Sequence, residues 1–222
     1  MGDTPNIKVI RKISEVERAD WDRLLGQGSP FIKWDWLDSL EQSGCVNEET
    51  GWLPHHLIVE RGRKIVGGCP MYLKLHSMGE FVFDFEWAEY AHRLGIRYYP
   101  KMLVGIPFTP VTGPRFLTDP RENRQELIQL MGRALIQVAE DNKISSVHVN
   151  FCLRDEGEAL KELGYIPRLG LQASGTFPAG HRHSRRAGGR AQGDTSRHHV
   201  SALQEPRRAA HLRPPVSHTG IL

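Results

Sequence analysis

Cysteine is scarce in this chain. Its three thiols, Cys45, Cys69 and Cys152, form no C-x-x-C pair, and an odd, widely spaced set excludes a disulfide scaffold. Long apolar runs are missing as well. Nothing approaches the roughly 20 residues of a membrane-spanning helix, and the opening MGDTPNIKVIRKISEVERAD lacks the apolar core of a secretory signal. A soluble, cytoplasmic protein with reduced thiols is therefore expected. There is no G-x-x-x-x-G-K-[ST], no G-x-G-x-x-G after a strand, no H-E-x-x-H and no G-x-S-x-G. These absences remove any motif-level case for phosphate-loop hydrolysis, hydride transfer, zinc proteolysis or a serine hydrolase. A strong charge of one sign is lacking too, the net charge being +3. Residues 173–222 carry eight Arg and no Lys against Asp194 and Glu205, so the excess lies there and the preceding residues are net acidic. No specific nucleic-acid partner is expected of such a surface.

What is present is an ordered alternation of strand and helix signals. Ile7 to Ile13 alternates as a first strand. Ser14 and Glu17 are spaced as a capping box, opening a helix through Trp21, Leu24 and Leu25 that Gly26 ends. Phe31, Trp34, Leu37 and Leu40 make a helical stripe over 31–42. Leu53 to Glu60 and Ile65 to Leu75 read as a hairpin turned by Arg61-Gly62-Arg63-Lys64, with Gly67-Gly68 and Pro70 marking a bulge or kink. Asp119-Pro120-Arg121-Glu122 predicts a helix start, with Leu127, Met131, Leu135 and Val138 on its buried stripe. Ser146 to Cys152 is a strand with Val147, Val149 and Phe151 on one face and His148, Asn150 and Cys152 on the other. A helix over 155–163, ended by Gly164, and a strand from Tyr165 follow. His55 and His56 point to opposite faces of one strand and cannot chelate one metal together; no metal site is expected.

The chain is organised around Glu80 to Leu117, EFVFDFEWAEYAHRLGIRYYPKMLVGIPFTPVTGPRFL. Phe81, Phe83 and Phe85 alternate with Val82, Asp84 and Glu86 as a strand would. Pro100, Pro107 and Pro110 interrupt the second half, which predicts an edge or a cleft. Carboxylates, phenols, an indole and an imidazole crowd this window beyond what packing needs. Asp84, Glu86 and Glu89 are candidates for a general base, Asp84 first because surrounding aromatics would desolvate it and raise its pKa. Tyr99 is a candidate late proton donor. Trp87, Tyr98 and Lys101 are candidates to hold a substrate, and Thr109, Thr112 and Arg115 to bind a carboxylate or phosphate. His148 and Asn150 share a strand face that would line the cleft. The competing readings are a solvated polar face for the acids, an amphipathic strand end for the tyrosines and a hydroxyl-held turn for the threonines.

This stretch resembles the FemAB-like proteins of the GNAT (acyl-CoA N-acyltransferase) superfamily, often labelled peptidoglycan biosynthesis/recognition proteins. YYPK…PFTPVTGPR is its most specific part, supported by ETGWLPHHLIVE and the MYLK-H-S-GE run, and the likeness covers about residues 20–172. It implies an α+β fold, GNAT-like, with a mixed and mostly antiparallel sheet flanked by helices and incomplete at its C-terminal end. It also implies transfer of an acyl or aminoacyl group to an amine acceptor of a small molecule or cell-wall peptide. Acyl-CoA would enter as a donor substrate rather than a resident cofactor, or aminoacyl-tRNA by family analogy. Where ordinary acetyltransferases carry a Gly-rich pyrophosphate loop, this chain has TGPRFLTDPREN, with Arg115 favourable and Asp119 unfavourable to an anion.

From Ala173 onward the composition turns to Arg, Ala, Pro, His and Gly, and Phe177 is the segment's only Phe, Tyr or Trp. Too little apolar area is available there to offset ordering entropy. Residues 173–222 are therefore expected to be a disordered tail, of out-of-frame origin, after an acyltransferase-like domain over 1–172. Two rival functions stand beside acyl transfer: a non-catalytic peptide or sugar recognition module, and an inactive truncated fragment. Composition does not indicate an oligomeric state.

Overall fold

The computed structural model describes residues 4–26, 28–82, 84–173 and 196–204. Strand β1 (Asn6–Ile10) pairs antiparallel with β3 (His56–Arg61), which pairs with β4 (Lys64–Cys69) across the Gly62 turn. The short β7 (Leu117–Thr118) completes this four-stranded sheet, in the order β1-β3-β4-β7. Pro70 has no N–H to give the ladder, and the chain passes there into a second sheet as β5 (Met71–Lys74). That sheet runs β2-β5-β6-β8-β10-β9, with β2 Trp52–Pro54, β6 Lys101–Val104, β8 Val147–Cys152, β9 Ile166–Ala173 and β10 Ser196–Gln204. Among the described residues only β6 and β8 pair in parallel. The expected kink at Pro70 is thus the passage between sheets. The three prolines of the central stretch lie outside β6, an inner strand whose ends they bracket.

Helices α1 (Arg18–Leu25) and α2 (Trp34–Gln42) pack a first core of Trp21, Leu24, Ile32, Leu37, Ile58 and Ile65. Helix α4 (Arg124–Asp141) lays Leu127, Ile128, Met131, Leu135 and Ala139 on the main core with Met71, Met102, Val104, Val147 and Val149. It meets α5 (Arg154–Lys161) at Gly132, where an added Cβ would lie 2.7 Å from Leu163 and 2.9 Å from Leu160. A larger residue there would push the two helices apart.

Four expectations are corrected. Phe81–Glu86 is not a strand: residues 81, 82 and 84 are irregular and α3 (Phe85–Arg93) begins at once. Strands β5 and β6 already pair with each other and with β2 and β8, which leaves the segment between them no edge to join. Phe83 lies outside the described residues. Helix α4 starts four residues late, because Asn123 rather than Asp119 caps it, accepting from the N–H groups of Gln125 and Glu126. Asp119 is instead buried among Arg23, Lys64 and Arg121. On β8, Phe151 has φ 55° and breaks the alternation, so Cys152 joins the core beside Val147 and Val149. Finally, Ser196–Gln204 falls in the segment read as a disordered tail and forms β10 between β8 and β9. A composition averaged over fifty residues hides one local run that open strand edges can pair. The rest of that segment, 174–195 and 205–222, lies outside the described residues.

Candidate functional site

Period-2 alternation divides β5, β6 and β8 into two faces. Met71, Leu73, Met102, Val104, Val147 and Val149 point to the main core. Tyr72, Lys74, Lys101, Leu103, His148 and Asn150 point the other way, and all six are buried. The excursion over residues 75–100, with α3 in it, roofs this second face. A lysine within an apolar inner strand must find counter-charge or lose its proton. The roof supplies the counter-charge.

Lys101 Nζ lies 2.5 Å from Asp84 Oδ2, 2.7 Å from Ser77 Oγ and 2.9 Å from Glu80 Oε2. Tyr98 donates its hydroxyl to Asp84 Oδ2 at 2.7 Å, and Tyr99 and Ser77 share a hydrogen bond of 2.7 Å. Lys74 donates to the Met78 carbonyl at 3.2 Å and sits 3.6 Å above the Trp52 ring. Burial lowers its pKa to about 7, partly opposed by Glu80. His148 bonds Ser146 Oγ at 2.9 Å; burial, then the nearby Lys101 charge, holds its pKa well below the ordinary value, so the ring is neutral.

The cluster is not self-sufficient. Among the described residues Glu80 Oε1 and Asp84 Oδ1 have no hydrogen-bond partner, nor, further along β8, has Asn150 Nδ2. Glu80 Oε2 is close to Lys101 but is not aligned for a hydrogen bond either. Burial raises the Glu80 pKa against the pull of Lys101. Asp84 goes the other way. Burial acts to raise its pKa, but the Lys101 charge and the bonds from Lys101, Ser77 and Tyr98 outweigh it and hold the carboxyl below its usual value. The expectation of a raised Asp84 in an aromatic pocket is therefore corrected. Phe85 and Trp87 are exposed, and Asp84 is a paired anion that anchors Lys101.

The structure brings Asp84, Tyr98, Tyr99, Lys101, His148 and Asn150 onto this face. It does not bring the others. Glu89 is solvated beside Arg93, and Trp87 stacks under the Arg168 guanidinium at 4.2 Å. Thr109 spends its hydroxyl on the Pro107 carbonyl, and Thr112 is exposed. Arg115 is fully buried and donates to the carbonyls of Val111, Gly113, Pro114 and Asn150, which leaves it no fork for a ligand. His56 is structural, its Nε2 2.9 Å from Glu41. Sequence reading passed over Lys74, Ser77 and Glu80. The signal was there, because MYLK and YYPKMLV each place a lysine in an inner-strand run.

A pantetheine pyrophosphate does not fit the start of α4. The Asn123 side chain already takes the N–H groups of Gln125 and Glu126, at 3.1 and 3.3 Å. Arg115 is committed, and Asp119 holds Arg23, Lys64 and Arg121 in ion pairs. Among the described residues no helix is long and apolar enough to cross a membrane.

A family model described as peptidoglycan biosynthesis/recognition, FemAB-like, matches residues 12–176. No curated protein matches the chain. Among solved structures it resembles a polyamine N-acetyltransferase of Drosophila melanogaster that forms N-acetylagmatine, with TM-score 0.51, 10% identity, and 91% of this chain and 100% of that one covered. It is also similar to the apo form of a mutant agmatine N-acetyltransferase, with TM-score 0.50, 10% identity, and 92% and 100% covered. At such identity the likeness shows the fold, which is that of the GNAT acyltransferases.

Proposed function

The chain belongs to the FemAB-like family of peptidoglycan biosynthesis/recognition proteins, and from that premise we propose that it transfers an acyl or aminoacyl group to an amine, with Glu80 as proton acceptor. The observation that carries this reading is the buried Glu80 carboxylate, whose two oxygens make no hydrogen bond among the described residues. Oε2 faces the Lys101 ammonium at 2.9 Å, but Oε1 has no partner; a buried acceptor left unbonded is costly, and an incoming N–H is the partner it lacks. As the amine nitrogen bonds to the acyl carbon, its proton passes to Glu80. The leaving sulfur or oxygen departs with the Tyr99 hydroxyl proton. Lys101, fixed by Asp84, holds Glu80 in place. Because the α4 terminus offers no pyrophosphate seat, no step is assigned to coenzyme A; the donor is a thioester or an aminoacyl ester.

The test is mass spectrometry of N-acylated product, using diamines and muropeptide amines as acceptors and acyl-CoAs and aminoacyl esters as donors. Glu80→Gln is expected to lower kcat by about 10²–10⁴-fold. Full kcat in that variant would remove the assignment. A second reading, recognition without transfer, has one observation in its favour. Phe81 and Phe108 are held exposed near the roof with φ of 57° and 56°, strain of the kind that gathers at binding sites. Calorimetric binding of muropeptides with no product from any donor would establish it.

A further inference from the structure

The other face of β5 and β6 carries a second cavity, remote from the lysine cluster because the sheet itself separates them. It is a cleft of about 480 Å³ between β1, β5, β6 and the C-terminal turn of α4, within the roughly 300–1,000 Å³ of small-molecule sites. Met71, Leu73, Met102, Val138 and Ile144 form its apolar walls. Met71, Met102 and Ile144 are buried main-core residues at its floor, and Leu73 and Val138 are its half-buried walls. Its polar residues are few. The Asn142 amide is turned back onto the Val138 carbonyl at 2.8 Å. His55 engages the Leu53 carbonyl through Nδ1 at 3.1 Å, and among the described residues Nε2 has no bond. Arg11 is exposed at the end of β1, and among the described residues its guanidinium makes no ion pair or hydrogen bond.

We propose that this cleft binds a single-chain amphiphile, its apolar chain against Leu73, Met102, Val138 and Ile144 and its anionic head on Arg11 and His55. The walls exclude a polar ligand, since a sugar or peptide would lose its water against them without compensation. The unpaired Arg11 selects the sign of the head by charge complementarity, with a fork suited to a carboxylate or a phosphate. Because His55 Nδ1 donates to the Leu53 carbonyl, Nε2 donates to the head when the ring is protonated.

Titration calorimetry with the full chain tests this, using decanoate, decyl phosphate and decanol below their aggregation limits, and vesicles of phosphatidylcholine with phosphatidylglycerol. Decanoate, decyl phosphate or both should bind at one site. Arg11→Glu, a surface change, should weaken that binding about tenfold or more while leaving decanol within twofold. Val138→Trp should abolish it by filling the cleft, and a second filling variant, Leu73→Phe, guards against misfolding of the first. Glu80→Gln on the opposite face should leave binding unchanged, which separates this site from the proposed transfer site. Equal binding of decanol and decanoate would overturn the head-group assignment. Binding only to vesicles would replace the free amphiphile with a membrane surface. No binding by any of the soluble ligands would overturn the cleft as a site.

Discussion

Two buried charge clusters, one on β6 and one between the 113–116 loop and α5, differ in one respect. Around Glu156, every group is used. The carboxylate accepts from the N–H groups of Arg115, Phe116 and Leu153 and pairs with Arg124 at 3.0 Å, while Arg115 spends its guanidinium on four carbonyls. Around Lys101, the cation is satisfied but Glu80 Oε1 and Asp84 Oδ1 are left over, besides the misaligned Glu80 oxygen. Burial and charge are alike in the two, so neither marks a functional site. Unfilled hydrogen-bonding capacity does. A saturated cluster is a fastener, here tying residues 113–116 to β8 and α5. An unsaturated one has a place for something else.

The largest effect should come from Glu156→Ala, which strands three buried N–H groups and part of the Arg124 charge. A loss of about 3–5 kcal/mol is expected in urea unfolding, and a loss under about 1 kcal/mol would mean the cluster is no fastener. Leu135→Ala, a deletion in the same core with no charge involved, should cost about 2–5 kcal/mol and sets the scale for packing alone.

Lys74 tests the other cluster through pH. Its folded pKa of about 7 lies below the ordinary 10.5, so between these values the unfolded chain binds more proton and stability rises with pH. The slope is lost below about 7, where both states are charged. Lys74→Met should flatten thermal unfolding midpoints across that window, and an unchanged slope would show the ammonium to be solvated. The smallest effect is expected from Glu80→Gln. Removing a buried, poorly bonded carboxylate should shift stability by no more than about 1 kcal/mol, in either direction. A loss as large as that of Glu156→Ala would erase the distinction between the clusters.

Much of the fold was legible because its signals are local. Gly26 and Gly62 end a helix and turn a hairpin, and the Leu127–Met131–Leu135 stripe is written in spacing alone. The α4 cap was misplaced because Asp119 and Asn123 both suit a cap and only the packing of Arg23 and Lys64 decides between them. The 81–86 strand failed because alternation says nothing about whether an edge is free. In the site, Tyr98, Tyr99, Lys101 and Asp84 stood out as neighbours in one window. Arg115 was misread because its environment comes from Glu156, 41 residues away, and Glu80 was missed because its role depends on a strand that comes later in the chain. Polarity is a local property, whereas saturation is a long-range one.

The alternation in β5 and β6 also limits how relatives of this chain can diverge. Inserting or deleting one residue in either strand would turn its lysine inward and its core residue outward, exchanging the two faces at once. Lineages can therefore change these strands only by substitution. The excursion over 75–100 is under no such rule, since it follows no ladder and can lengthen, shorten or reshape without moving Lys74 or Lys101. Length changes there would fall outside residues 77–84, because Ser77, Glu80 and Asp84 must still reach Lys101.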